Sequence, residues 1–570
     1  MSRAIAAVCV LTVLCATGTV DAQDGPHLRH LWARWQANLS VDEQVTRTEA
    51  FMDRIAKAGY TGIVLVDNKF KRWNELSEAD IAKRRRVREY ARKLKLDFVV
   101  AVTATGYAND LMSNDPNLAA GMPVKDAPFV VRHGRLVPDD PTTLANGTFE
   151  KHRDNKPDGW DVDAPGKVSF IDTDVRYEEK PSLRMQDPAD NPPNSHARAS
   201  QILNVKPWRY YRITVALKTE GLTSPGDVRL MGLGLTGEHA GQWLNVPYLY
   251  AKPTQDWTRL GYTINTRDYE KIAIYIGTWS GGRGKMWWAD VTMEPAGLVN
   301  LLRREGTPFK ATSADGKTVY VEGKDLPEMR DPGLGNSPYK GGYQWHAQPE
   351  IVIPAGSRLR EGDRVLLSYC HTMIMCYWDQ VPICLAARDT NKWIDWCIAN
   401  CARHLQPDGY FMQHDEIRMQ GWDASCERSG RTPGQNLARN IRFCRDTIRK
   451  HSPGAVMYVW SDMFDLYHNA PKTGTMALVR GDGAWYESWK GLTPDVGLMN
   501  WNGRKRESIE FFSKLGQKQI ISAASAGDLA AKLANAKGLA GVEGAMYVTW
   551  GGDYSQIEAF ADKAREILKK

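Results

Sequence analysis

The chain of 570 residues lacks several features that would assign a class at once. Beyond its N-terminus no apolar run approaches the roughly 20 residues that a membrane-spanning helix needs. No glycine-rich phosphate loop closes a strand; Gly551-Gly552 is the nearest approach. CxxC pairs are missing, which argues against structural zinc. The only dense basic run is Lys83–Arg86. It falls within the amphipathic pattern Ile81, Val87, Tyr90, Leu94 and comes without a zinc-finger, helix-turn-helix or RNA-binding signature. It therefore reads as a solvated helix face, and nucleic acid is not an expected partner. Disorder is excluded as well, because 42% hydrophobic and 25% charged residues suit a soluble globular protein. The net charge of +7 is scattered.

What is present begins with a leader. Arg3 is followed by an apolar core, Ala4–Ala16, and by Val20-Asp21-Ala22. Small residues at the two positions a signal peptidase reads predict a secretory signal peptide cut after Ala22 and a secreted or periplasmic protein. Of nine cysteines, seven follow the leader: Cys370, Cys376, Cys384, Cys397, Cys401, Cys426 and Cys444. An odd count leaves at least one thiol without an intrachain partner, while export permits disulfides among the others.

Two textures alternate along the chain. Strand-like runs followed by helical patterns occupy 28–120 and 389–570. They supply three strands (30–34, 61–68, 96–106) and then five (409–416, 455–464, 496–502, 518–525, 544–552). Eight βα units predict an α/β protein, a (β/α)8 barrel. Between the third and fourth units, period-two runs broken by Gly, Pro, Asn and Asp predict an all-β sandwich. The expected organisation is a signal peptide over 1–22 and barrel over 23–139. A sandwich follows over 140–295, then a small β-rich region over 296–388 and the rest of the barrel over 389–570.

Catalytic groups in such a barrel sit at the C-terminal ends of the strands. Strand four ends in Asp415-Glu416, strand five in Trp460-Ser461-Asp462, strand six in Asn500-Trp501-Asn502, and strand eight near Trp550. Arg34 closes strand one and Asp67-Asn68 closes strand two; His414 precedes the acid pair, and His371 ends a run that can return to the rim. Aromatic walls for C–H faces, with carboxylates and amides for hydroxyls, suit a sugar ring, whereas a buried core would not want the charges. Two adjacent carboxyls that converge on one pocket repel, so one keeps its proton to higher pH, as a general acid requires. Consecutive strand residues point oppositely, so both reach the pocket only if the backbone turns there.

Two resemblances add to this reading. The insert, with Asn146–Glu150, Gly159-Trp160 and Ala289-Asp290-Val291, resembles the carbohydrate-binding jelly rolls of the family 4/9 type. That implies a structural calcium with Glu150 and Asp290 as ligands. It also implies a sugar platform drawn from Trp243, Trp257, Trp279, Trp287 and Trp288, unless these tryptophans are sandwich core. The barrel mouth resembles glycoside hydrolase family 20, the β-N-acetylhexosaminidase group. The resemblance implies that Glu416 is the acid/base and that Asp415 orients the acetamido group whose oxygen attacks the anomeric carbon. Trp460, Trp501 and Trp550 would line the subsite, with Arg34 on sugar hydroxyls and no catalytic cofactor. Asp67, His371, His414, Asp462 and Asn502 complete the candidate substrate-binding set. The sequence departs from that family at His414, where a Gly is usual, and at Ala523-Ala524-Ser525, where a Tyr is expected. The expected partner is an oligo- or polysaccharide. A glycosidase for sugars without a 2-acetamido group and a non-catalytic glycan-binding protein remain the alternatives.

Overall fold

A computed structural model describes residues 25–568 except 104, 111, 113–114, 194, 238–239, 336–345 and 376–379. The leader and Cys376 lie outside the described residues. Eight parallel strands close into a barrel: β1 (His30–Gln36), β2 (Gly62–Val66), β3 (Asp97–Ala101), β4 (Gly409–Phe411), β5 (Val456–Trp460), β6 (Val496–Asn500), β7 (Gln519–Ala523) and β8 (Val542–Tyr547). Closure runs through β1, which pairs Trp32 with Gly62 of β2 and His30 with Gly544 of β8. Side chains alternate along each strand. Val64, Val66, Val99, Phe411, Trp460 and Met546 fill the interior, while Ile63, Leu65, Phe98, Val100 and Tyr410 pack outward under the helices.

Helices follow the strands where the sequence carries a helical apolar stripe. They are α1 (Asp42–Lys57), α2 (Glu78–Lys93), α3 (Arg388–Leu405), α4 (Pro433–His451), α5 (Arg506–Lys514), α6 (Ala526–Ala536) and α7 (Ile557–Ile567). In α1 the buried stripe is Val45, Thr48, Phe51, Met52 and Ile55. Capping boxes start two of the others, Ser77 with Asp80 at α2 and Thr432 with Gln435 at α4. The link from β5 to β6 departs from the expected (β/α)8 pattern. Among its described residues it holds 3₁₀ turns (Asp462–Phe464, Ser488–Gly491) in place of an α-helix. The basic run on α2 departs from a purely solvated face too. Arg84 is fully buried and ion-pairs with Asp67 at 2.7 Å, while Lys83 and Arg86 pair with Asp42 and Glu49 of α1.

The insert is a sandwich of two five-stranded antiparallel sheets. One is ordered Gln255–Asn265, Tyr210–Glu220, Lys285–Pro295, Lys180–Gln186, Ser169–Tyr177, and the other Trp243–Asn245, Val228–Gly234, Lys271–Thr278, Ala197–Asn204, Asp161–Val162. Their shared core runs from Leu144 to Met293, so the sandwich closes on itself. The region 296–388 supplies part of a six-stranded sheet whose centre pairs Arg364–His371 with Met122–Arg132. Residues Met122–Pro138, assigned to the barrel from sequence, therefore belong to this sheet, because beyond the hairpin they form with each other their strand partners lie more than 200 residues later.

Candidate active site

The acid pair sits where β4 stops being a strand. After Phe411 the chain enters left-handed conformations at Gln413 (φ 58°), His414 (φ 65°) and Glu416 (φ 45°). Such backbone costs about 1–3 kcal/mol per residue and persists only where its surroundings hold it. Here the Trp460 amide donates to the Gln413 carbonyl at 2.8 Å. The Glu416 amide donates to Asp462 Oδ2 at 2.9 Å, and Gln380 Nε2 to the Glu416 carbonyl at 2.6 Å. Gly106 lies against the same turn, and a Cβ there would stand 2.2 Å from the Asp415 carbonyl oxygen. The turn is what brings two consecutive carboxyls to one cavity.

That cavity, about 540 Å³, opens at the C-terminal end of the barrel. Asp415, Glu416, Arg34, Trp460, Trp501 and Trp550 line it as expected. Trp460 is its buried floor, Trp501 a half-buried wall and Trp550, 67% exposed, its rim. Trp550 stands 6.1 Å from Trp460 and carries the Arg34 guanidinium 4.6 Å over its ring. Arg34 is buried and donates to Gln36 Oε1 at 3.3 Å, and its Nε has no hydrogen-bond partner among the described residues.

The two acids meet different surroundings. Both oxygens of Glu416 are engaged: Tyr107 donates its O–H to Oε2, and Arg418 lies 2.7 Å from Oε1. Arg418 also donates to the Tyr107 oxygen and to Gln380 Oε1, at 3.1 Å each. Asp415 is 9% exposed, and its Oδ1 is buried with no hydrogen-bond partner among the described residues. Burial first, then the charges of Asp462 and Glu416, push its carboxyl up to about 8, against the pull of Arg34. Asp462, fully buried, holds the site together from behind: besides Glu416 it accepts from Asn469 Nδ2 at 2.8 Å and from Trp501 Nε1 at 3.4 Å. Burial raises its carboxyl above the ordinary range, while His468 opposes.

Several residues expected at the mouth stand elsewhere. Asp67 turns back under the barrel rim, caps the 3₁₀ turn at Lys69 N (3.0 Å) and pairs with Arg84; its neighbour Asn68 lines the cavity instead. His414 points away into the protein, where its Nε2 meets Asn440 Oδ1 at 2.8 Å and burial lowers it to about 4. His371 belongs to the six-stranded sheet; it is stacked on Tyr210 at 3.5 Å, bonded to Asn265 and lowered by burial to about 3. Asn502 holds Asp465 Oδ2 at 2.9 Å. Conversely, Tyr107, Gln413, Lys71 and Lys532 line the cavity without having been singled out. Lys71 pairs with Asp110 at 2.7 Å and Lys532 with Asp528 at 2.9 Å. Only Tyr107 had a usable signal, an aromatic directly after strand three in "TGYAND".

In the sandwich, Asp290 pairs with Arg259 at 2.5 Å and Glu150, exposed, accepts from Thr148 at 2.7 Å, so each carboxylate named for calcium has a protein partner. Trp287 and Trp288 are core; Trp257 lies on one sheet, and Trp243 and Trp279 lie with the other, so the five do not form one platform.

No family model matches the chain, and no curated protein does. Among solved structures it is similar to one described as "CBM4 structure and function", with 20% identity over 26% of this chain and 98% of the other at TM-score 0.20. It is also similar to a family 16 carbohydrate-binding module (16% identity, 24% and 91% covered, TM-score 0.18). The CBM22-1 xylan-binding domain from Paenibacillus barcinonensis is similar too (15% identity, 26% and 90% covered, TM-score 0.21).

Proposed function

We propose that this protein is a glycoside hydrolase that cleaves glycans in the barrel cavity with Asp415 and Glu416. The observation that carries the reading is the convergence of two consecutive carboxyls on one aromatic-walled cavity, with Asp415 buried there. A carboxyl pushed up to about 8 is neutral at pH 7, and it lines a cavity walled by Trp460, Trp501 and Trp550. Environments that drive neighbouring carboxyls apart mark acid and base roles. Hydrolysis needs a proton on the departing glycosidic oxygen and negative charge near the anomeric carbon. Asp415 holds the first; Glu416, fixed by Tyr107 and Arg418, faces the sugar as the second. As the C–O bond breaks, the Asp415 proton goes to the leaving alcohol. Water then adds at the anomeric carbon and returns a proton to the pair.

This exchanges the roles implied by the family 20 resemblance. The opposite assignment, Glu416 as acid, is favoured by its greater side-chain exposure, 24%, and requires the sugar to displace Arg418. Leaving-group dependence separates the two. Loss of the acid slows glycosides with poor leaving groups by about 10²–10⁴-fold but spares activated aryl glycosides. Asp415→Asn should show that split and Glu416→Gln should lose both substrates; the reverse pattern restores the resemblance's roles. Wild-type turnover in both folded variants would remove the hydrolase reading. The 2-acetamido class rests on the Asp-Glu motif, since Ala523-Ala524-Ser525 stands where a tyrosine is expected, with Ala523 and Ala524 in the cavity wall. Inhibition by a thiazoline that mimics the cyclised intermediate supports that class, and indifference to it moves the substrate to sugars without the group.

A further inference from the structure

Outside the cavity the closest cluster of reactive side chains is buried. Cys384 and Cys426 bring their sulfurs to 3.9 Å, and Asp423 stands with them. Cys384 lies just ahead of α3, and Cys426 sits on the short helix Ala424–Ser429. The two backbones are held in register by Gln420. Its Oε1 accepts from the Leu385 amide at 3.3 Å, and its Nε2 donates to the Ile383 carbonyl. Between the cysteines lie α3, β4 and the acid turn, a span of 42 residues.

Two sulfurs and a carboxylate invite a metal, yet the surroundings oppose one. Asp423 spends Oδ1 on the Ser425 and Cys426 amides at 3.0 and 3.1 Å, and its Oδ2 takes Arg304 at 2.6 Å. A divalent ion would have to sit against that buried guanidinium, with one ligand already satisfied, where structural zinc takes four. Arg304 serves sulfur chemistry better. Its charge acts on Cys384, and among the described residues its Nε and Nη1 have no hydrogen-bond partner. The Cys426 thiol first, and then Arg304, draw the Cys384 thiol down, while Cys426 is pushed up. Thiolate character on one member of a close pair is what disulfide formation needs.

We propose that Cys384 and Cys426 form a disulfide in the oxidised protein, a staple that closes the segment carrying Asp415 and Glu416. The Cys384 thiolate attacks one sulfur of a disulfide oxidant, an oxidised dithiol protein or glutathione disulfide; the oxidant's S–S bond breaks, its other sulfur is released as thiolate, and a mixed disulfide forms. The Cys426 thiolate then displaces the oxidant's remaining sulfur, which leaves as thiolate. Two thiol protons are released and the oxidant gains two electrons. The sulfurs close from 3.9 Å to about 2.05 Å, a movement shared between two side chains. Both are buried, so the bond forms as the chain folds and resists reductant afterwards. Asp423 keeps Arg304 paired once the disulfide has formed.

The test refolds the denatured, reduced full-length chain in a glutathione redox buffer. This removes any dependence on the compartment read from the leader. Free thiols are blocked under denaturing conditions before digestion with trypsin and chymotrypsin. Cleavage after Tyr369 and Tyr377 separates Cys384 from Cys370 and Cys376, so mass spectrometry assigns the partner of Cys426. The expected result is a Cys384–Cys426 linked peptide, with a Tm several degrees above that of protein refolded in reductant. Alkylation of both cysteines, a link from Cys426 to Cys370, or zinc retained in the native mass spectrum overturns the proposal.

Discussion

Asp415 makes a prediction about stability whose sign is unusual for an active-site variant. Its carboxyl sits near 4 in an unfolded chain and about 8 in the folded one. A raised folded value means that the native state holds the proton more tightly. The associated stability is therefore complete below about pH 4 and is lost as pH rises toward 8. Each pH unit is about 1.36 kcal/mol, so the loss reaches a ceiling of about 5 kcal/mol at pH 8 and above. Asp415→Asn keeps the shape and cannot ionise, so it escapes that loss. The variant should match the wild type near pH 4 and exceed it increasingly toward pH 9. At 2–4 °C per kcal/mol for a unit of this size, the barrel's Tm should rise by roughly 10 °C at pH 9. Thermal unfolding of both proteins at pH 4, 6, 8 and 9 reads the trend, and the variant's activity on glycosides with poor leaving groups should fall in parallel. A variant less stable than the wild type at pH 9, or a gap that does not change with pH, refutes the protonated, crowded Asp415.

The same proton should set the alkaline limb of kcat/KM near pH 8, and a profile flat through pH 9 would count against Asp415 as the acid. Trp550→Ala removes an exposed rim and the ring under Arg34, so KM for a glycan should rise about tenfold with Tm nearly unchanged, as initial rates and calorimetry will show. Gly106→Ala drives a Cβ into the Asp415 carbonyl; kcat should fall about 10²-fold with the circular dichroism spectrum intact, whereas normal kcat would mean that the turn yields freely. Residues 140–295 expressed alone should unfold cooperatively, because their core is their own; a disordered fragment would contradict it.

Much of the architecture was legible because each barrel strand is a short apolar run closed by polar residues, and the sandwich strands alternate between Gly- and Pro-rich turns. The three tryptophans and the acid pair were found by the same logic, since a residue just past a strand end faces the mouth. That logic failed at Asp67 and His414. One to three positions past the strand, a side chain can turn inward or outward, and here Arg84 and Asn440 hold these two away. Tyr107 was missed because its role depends on a contact with Glu416 across 309 residues of chain. Met122–Pro138 went to the wrong sheet for the same reason: strand partners distant in sequence leave no local mark. The missing helix after β5 is likewise set by tertiary packing, with the turn at Gly491 placed against Ala438 of α4.

The interruption of the barrel between β3 and β4 also sets a timetable for synthesis. β3 ends at Ala101 and its neighbour begins at Gly409, so a ribosome adding about 5–20 residues per second leaves that edge waiting for roughly 15–60 s. Meanwhile Phe98, Val99 and Val100 present an apolar strand with unsatisfied amides, the form of edge that recruits other chains. The sandwich can complete itself in that interval, since none of its core comes from later residues. A nascent chain arrested near residue 400 should therefore carry a finished sandwich beside three barrel strands that still need a chaperone's cover.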